Sequence, residues 1–319
     1  MPAQPLGPTG LLAQSMTLPA GSQSLAMGGM GLRAQGMDGR KKSAGLAGQY
    51  LIVGGGAGGA FGSWDGASAQ WGGAGGGAGG VIYEAAALSS GAYPVVVGTG
   101  GSGAVYYNPT TDTSGGLSSF AGKTAYGGGS AFLPSGNITY EAVPSGGSGS
   151  GGTYFLYGGQ PIDPRYGNAG GDGVGLGGGG PGGGGAASAG ASATGVNGAN
   201  GGAARSINIT GSAVSYGGGG GGGTGQASGS AGAAGSGGGN GGTGGGAGAN
   251  AAANRGGGGG GGSGTGASGS GGNGGSGVVI WSYASPTQLC TGGTVTTYLN
   301  GSTRWWVHTF TSNGTLVVP

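Results

Sequence analysis

The residues able to do acid–base, nucleophilic or metal chemistry are few in this 319-residue chain, and they stand far apart. There is one histidine, His308, and one cysteine, Cys290. A structural zinc site draws on about four Cys and His ligands, and one of each makes none. The seven acidic residues are scattered, with no close pair suited to general acid–base work. His308 falls inside a strand pattern close to Trp305 and Trp306, where a packing or surface role is expected. Cys290 reads as a small buried apolar residue, and a single cysteine excludes an intrachain disulfide. Gly122-Lys123-Thr124 has the ending of a phosphate-binding loop, but position 117 is Leu and the preceding glycine is Gly116. The spacing is one residue too long and the motif is rejected. G-x-G-x-x-G recurs so often at this glycine content that it carries no information. Asn137-Ile138-Thr139, Asn208-Ile209-Thr210, Asn300-Gly301-Ser302 and Asn313-Gly314-Thr315 fit the glycosylation sequon but read as turn and strand residues. No catalytic residue, cofactor or metal site is expected, and the chain does not read as an enzyme.

Recognition chemistry has better candidates. Two non-glycine insertions concentrate aromatics, one over 104–113 with Tyr106, Tyr107 and Asn108, the other over 153–166 with Tyr154, Phe155, Tyr157 and Tyr166. Tyrosine offers a rigid, amphipathic contact at low entropic cost, which suits sugars or protein loops. The alternative is that these rings only pack over an exposed edge of the fold. Trp64 and Trp71 are lesser candidates.

These loops must be held by a glycine field. Glycine accounts for 101 of 319 residues, most of it in 146–277 and 54–80. Between Gly167 and Ile280 the only aromatic is Tyr216, far too little apolar surface for an ordinary side-chain core. Such sequence commonly behaves as a flexible linker, and ordering it costs about 1–2 kcal/mol per residue of backbone. Yet the field ends directly in the apolar run Val278-Val279-Ile280-Trp281, a wasteful way to finish a linker. One ordered state fits. Extended left-handed helices with three residues per turn make no internal hydrogen bonds, so packed side by side they pair backbone with backbone. Only glycine permits that approach on every side, and the run 217–223 would span roughly 22 Å. Collagen is excluded, with no strict Gly-X-Y register and only 13 prolines. The expected fold is therefore mainly irregular and β: a packed polyglycine II lattice with short β-strands, a C-terminal β-meander and almost no α-helix.

Three regions are expected. Residues 1–48 read as an attachment arm, with Leu11, Leu12, Met16 and Leu18 as candidate assembly contacts; a frayed terminus is the other reading. Residues 49–284 form the glycine-rich domain. Tyr50-Leu51-Ile52-Val53, Val81-Ile82-Tyr83, Tyr93-Pro94-Val95-Val96-Val97, Ser118-Ser119-Phe120 and Ala131-Phe132-Leu133 are strand candidates that could cap one end of the lattice. Residues 285–319 read as a three-stranded meander, with turns at Asn300-Gly301 and Asn313-Gly314 and with Trp305 and Trp306 as further assembly candidates. So short a unit is marginal alone and should dock on the lattice or on another subunit. Residues 1–48 carry a balance of +3 and the remainder −1, so there is no large basic surface and nucleic acid is not an expected partner. No apolar run reaches 18 residues, so membrane insertion is not expected, and no basic segment of the secretion-signal type precedes the first apolar residues.

Tyr50-Leu51-Ile52-Val53-Gly54-Gly55-Gly56-Ala57-Gly58-Gly59, Gly76-Gly77-Ala78-Gly79-Gly80-Val81, Pro94-Val95-Val96-Val97-Gly98 and the closing Gly274-Gly275-Ser276-Gly277-Val278-Val279-Ile280 together resemble the glycine-rich domain of bacteriophage tail and tail-fibre proteins. The resemblance covers about 50–284. His308-Thr309-Phe310-Thr311-Ser312-Asn313-Gly314-Thr315 also resembles a β-motif that accompanies this domain. The resemblance implies a polyglycine sandwich that presents variable loops to a bacterial surface receptor. It implies a virion protein, assembled in the host cytoplasm into an oligomeric structure with other fibre, tail or capsid proteins. Its receptor would be an outer-membrane protein or polysaccharide. A purely architectural virion part and an ice-binding polyglycine protein are the alternatives. The second calls for flat, regular Thr- or Ala-bearing faces, against which the aromatic loops argue.

Overall fold

A computed structural model describes residues 45–64, 70–106, 114–130, 146–152, 157–175 and 177–319. The chain divides between Lys42 and Ser43, and what is described lies in the second unit. Leu11, Leu12, Met16, Leu18, Tyr107, Asn108, Tyr154, Phe155 and the strand expected at 131–133 lie outside the described residues.

Among the described residues thirteen short strands are interspersed with glycine segments. They are β1 (Leu46–Val53), β2 (Ser63–Trp64), β3 (Gln70–Trp71), β4 (Val81–Leu88), β5 (Gly91–Val95), β6 (Ser118–Phe120), β7 (Lys123–Ala125), β8 (Arg205–Ile207), β9 (Val214–Tyr216), β10 (Val278–Ala284), β11 (Thr294–Asn300), β12 (Thr303–Phe310) and β13 (Gly314–Val318). There is no α- or 3₁₀-helix among the described residues. One antiparallel sheet has the order β11-β12-β10-β1-β4, and four two-stranded sheets pair β13 with β5, β2 with β3, β6 with β7 and β8 with β9.

The glycine segments form the lattice, and residues 217–225 lie at its centre. Amides of 219, 222 and 225 donate to carbonyls of 202, 199 and 196; those of 220 and 223 to 76 and 73; those of 221 and 224 to 239 and 242. Carbonyls of 218, 221 and 224 accept from 258, 261 and 264; those of 219 and 222 from 235 and 232; those of 220 and 223 from 183 and 180. Each neighbour is met at every third residue, the signature of a three-residue turn without internal hydrogen bonds. One segment thus has six neighbours, at N···O distances of 2.8–3.1 Å in its donor bonds. From Gly219 to Thr224 every backbone N–H and C=O finds its partner on another segment, so the peptide backbone is the core. That arrangement leaves no space for side chains. A Cβ built on Gly220 or Gly223 would lie closer than 3.0 Å to the carbonyl group of Gly259 or Gly262.

At the lattice edge a segment runs out of neighbours, and asparagine supplies the missing acceptors. Asn197 and Asn200, three residues apart, accept from the amides of Ser230 and Ala233 through Oδ1 at 2.8 and 2.9 Å, and Asn240 accepts from Ala234. Asn273 does the same for Gly103.

The side-chain core is small and belongs to the five-stranded sheet. One face buries Tyr50, Ile52, Ile82, Phe120, Trp281, Tyr283, Phe310 and Leu316, and the other buries Leu51, Val53, Val81, Ile207, Ile209, Tyr216, Ile280 and Val307. Alternation along each strand divides the residues between the faces. β1 leads straight into the glycine segment that starts at Gly54, and the segments ending at Gly80 and Gly277 lead straight into β4 and β10. Sheet and lattice are one continuous body, joined at Ser118. Its buried hydroxyl donates to the Val53 carbonyl and accepts from the Gly98 amide.

The C-terminal strands depart from the expected meander. β12 returns beside β10, inside the main sheet, while β13 leaves β12 and pairs with β5, Leu316 opposite Tyr93. Leu316 and Val318 are buried by that crossing, which covers one face of the main sheet. The hairpin turn also sits one residue later than expected. Asn300 pairs with Thr303, so Gly301 and Ser302 form the loop. Gly301 has φ 61°, which matches a turn with glycine at its first central position. Gly122 occupies a similar two-residue loop between Phe120 and Lys123, so the Gly-Lys-Thr triplet is a hairpin end with no helix after it.

His308 and Cys290 are both fully buried and help fix the loop between β10 and β11. The Gly292 carbonyl can only accept, so His308 Nδ1 carries the proton of their 2.7 Å bond. The ring stacks on Tyr283, whose hydroxyl accepts the amides of Leu289 and Cys290. Burial pushes His308 below its usual pKa of 6.5, while the bond to Gly292 opposes the shift. Between that depressed value and 6.5 the unfolded chain binds a proton that the folded chain does not, so stability falls as pH is lowered through this window. A urea-midpoint series from about pH 8 to 5 should show the decline, and His308→Gln should flatten it within that window.

Candidate functional site

Two aromatic loops were candidates for recognition, and the hydrogen-bond register gives the direction in which each leaves the lattice. Segment 54–62 runs away from the sheet, because it continues β1. Segment 98–104 runs parallel to it, with Gly101 and Ala104 donating to Gly56 and Gly59. Segment 72–80 runs toward the sheet into β4. Segment 146–152 is antiparallel to it, with Ser148 and Gly151 donating to Ala78 and Gly75, and therefore also runs away from the sheet. Ala104 and Gly152, where segments 98–104 and 146–152 finish, consequently lie at the same end of the lattice, opposite the five-stranded sheet.

The β2–β3 hairpin occupies that end as well. Trp64 and Trp71 are half-buried on it, and the Trp64 amide donates to Ser268 Oγ. Phe61 closes segment 54–62, and Tyr106 meets it edge to face, with centroids 5.4 Å apart and planes at 72°. Tyr106 is half-buried, Val105 is exposed, and Tyr157 is 82% exposed. Beneath them, Thr224 and Ser263 join hydroxyls at 2.8 Å, and Ser263 also accepts the Gly245 amide. Thr224 and Ser263 are fully buried, so the hydroxyl pair braces this end from within and the aromatic rings supply its surface. The exposed ring of Tyr157 and the half-buried rings of Trp64, Trp71 and Tyr106 can take stacking contacts from a ligand. Among the described residues no three His, Cys, Asp or Glu side chains come together as a metal site.

Tyr166 is separated from the other tyrosines of its insertion. Its carbonyl accepts the Val81 amide and its hydroxyl donates to Glu84 Oε1 at 3.1 Å, so it lies at the sheet, packed against the core. Tyr50 donates to Glu84 Oε2, and Lys123 Nζ lies 3.2 Å from the same oxygen. The Tyr50 hydrogen bond, with those from Lys123 and Tyr166, holds the Glu84 carboxyl below the usual carboxylate range. Burial, and then the carboxylate itself, push the Tyr50 hydroxyl far up. This network ties β1, β4, the β6–β7 hairpin and the second insertion together. No sequence signal could have found it, because its members come from four distant stretches. Phe61 was missed for a simpler reason: it is a lone aromatic in a glycine run.

The two tryptophans proposed for assembly lie on β12. Trp306 is half-buried against the core and donates its indole N–H to the Ser285 carbonyl. Trp305 stacks on Tyr298 with planes at 8°.

The description "glycine-rich domain" belongs to a family that matches residues 41–284, from just ahead of β1 to the last residue of β10. No curated protein and no solved structure matches the chain.

Proposed function

The chain belongs to the glycine-rich domain family, and from that premise we propose that it is a non-enzymatic bacteriophage virion protein, a tail-fibre or tail-tip component displaying loops for host attachment. In this reading the lattice is a rigid platform, held by backbone hydrogen bonds in all directions across its axis. Its loops meet a bacterial surface receptor, an outer-membrane protein or polysaccharide, and the sheet end faces the other virion proteins. The observation that carries the reading is the common exit of the two tyrosine-bearing loops at the lattice end opposite the sheet. A rigid scaffold with variable loops at one end is a recurrent solution to recognition. The contact set is Tyr106, Tyr107, Asn108, Tyr154, Phe155 and Tyr157, extended to Phe61, Trp64 and Trp71. Tyr166 drops out because it anchors the sheet.

One observation favours the architectural alternative, in which the rings only pack: Tyr106 already rests on Phe61. Binding of the purified chain to intact cells of candidate hosts separates the two. The variant with Tyr106, Tyr107, Tyr154 and Tyr157 changed to Ala should keep its fold and lose at least about tenfold in binding, as expected when several aromatic hot spots are removed. Equal binding by parent and variant, or none by either to a host the virion infects, would overturn the receptor reading.

A further inference from the structure

The five-stranded sheet ends in β11, and that edge is open. Asn300 and Thr303 close a two-residue turn, so they form a hydrogen-bonded pair, and Thr294, Thr296 and Tyr298 follow in alternation with their backbone groups toward β12. Val295, Thr297 and Leu299 turn their N–H and C=O groups outward, where no partner meets them among the described residues. Natural sheet edges are blunted by charge, proline, a bulge or very short strands. β11 has seven residues, Thr-Val-Thr-Thr-Tyr-Leu-Asn, with no charge and no proline, and pairs with β12 without a break. The opposite outer strand is guarded: β4 carries Glu84, and its first amide is taken by the Tyr166 carbonyl.

We infer that β11 is an assembly edge whose occupant is β11 of a second copy of this chain, antiparallel about a two-fold axis at Thr297. The strand's own sequence is what makes it complementary to itself. In that register Val295 of one copy faces Leu299 of the other, Thr297 faces Thr297, Thr296 faces Tyr298, and Thr294 faces Asn300. On one face two Val–Leu pairs flank the Thr297 hydroxyls at the axis, on the other Thr side chains meet Tyr and Asn, and no like charges are opposed. The three outward residues of each copy would form about six backbone hydrogen bonds. Leu299, 66% exposed, would gain an apolar neighbour, and two five-stranded sheets would join into one. The pairing is isologous and closes after two copies. Trp305 and Trp306 lie one strand inside the junction, supporting the edge rather than forming the contact.

Sedimentation equilibrium of the full chain tests this. The parent should associate to a dimer. Thr297 is exposed, so Thr297→Lys and Thr297→Glu should fold normally while each places like charges directly opposite across the axis. Each variant alone should dissociate at concentrations about fivefold higher or more. An equimolar mixture of the two should recover the parent's association, and amide exchange at Val295, Thr297 and Leu299 should slow in step with dimer formation. A parent monomeric up to its solubility limit, an association indifferent to both substitutions, or charge variants that stay apart when mixed would overturn the inference.

Discussion

Gly220→Ala should destabilise the fold by about 3 kcal/mol or more, at the upper end of what one added methyl costs a packed interior. Gly220 lies mid-segment at the centre of the lattice, its amide bonded to the Gly76 carbonyl and its own carbonyl to the Gly183 amide. A Cβ there would lie closer than 3.0 Å to the Gly259 carbonyl carbon and oxygen. In a side-chain core, an overpacked methyl is relieved by rotamer changes. Here the obstacle is backbone, itself bonded to further backbone, and relief means moving a segment away from several partners at once. Gly266→Ala is the matched control. Gly266, unlike Gly220, has positive φ, 67°, and its Cβ would meet nothing within 4 Å, so alanine there should cost only the roughly 1 kcal/mol of left-handed strain and nothing from steric contact. Urea midpoints of the two variants, compared in one buffer, decide the matter. Equal shifts would mean that the lattice does not need glycine for close approach.

Trp281→Ala should cost about 3–5 kcal/mol, the range for emptying a large aromatic site. Trp281 is fully buried in the middle of β10, opposite Tyr50 on β1 and His308 on β12. Its ring centroid is 6.3 Å from that of Phe120, and its six-membered ring fills the space that Gly48 leaves empty. A Cβ on Gly48 would lie closer than 3.0 Å to that ring. The hole left by alanine could not collapse, since β1 and β10 are held in register by their ladder and continue into the lattice on the same side. Trp281→Phe should recover more than half of the loss, because it restores most of the ring volume. Thermal unfolding of both variants checks the order. An alanine variant within 1.5 kcal/mol of the parent would show that the sheet core can repack, against the larger range expected for such a site.

How far the chain could be read without its fold follows from these two residues. The need for glycine at Gly220 was legible: a long run without apolar side chains leaves backbone pairing as the main way to order it, and three-residue geometry follows from the absence of internal bonds. The strands beginning near Tyr50, Val81 and Val278 were legible from their apolar runs against a glycine background. The buried fate of Cys290 followed from its being a lone cysteine. The role of Trp281 was not legible beyond membership of a strand, because its partners Phe120 and Gly48 are distant in sequence.

The same holds for the departures. β13 follows an Asn-Gly turn signal, which predicts a hairpin with β12, yet the strand crosses to β5, where Leu316 and Val318 join the core. Tyr166 shares an insertion with Tyr157, and local sequence cannot say that one is 82% exposed while the other is bonded to Glu84 on the sheet. Composition, periodicity and turn chemistry are local properties, so the sequence by itself determined the kind of core, the absence of room for side chains in it, and most strand positions. Which segments neighbour one another, which lattice end carries the loops, and which sheet edge stays open depend on pairings between residues far apart in the chain. Glycine segments are nearly interchangeable in local terms, and only the tertiary structure could choose among them.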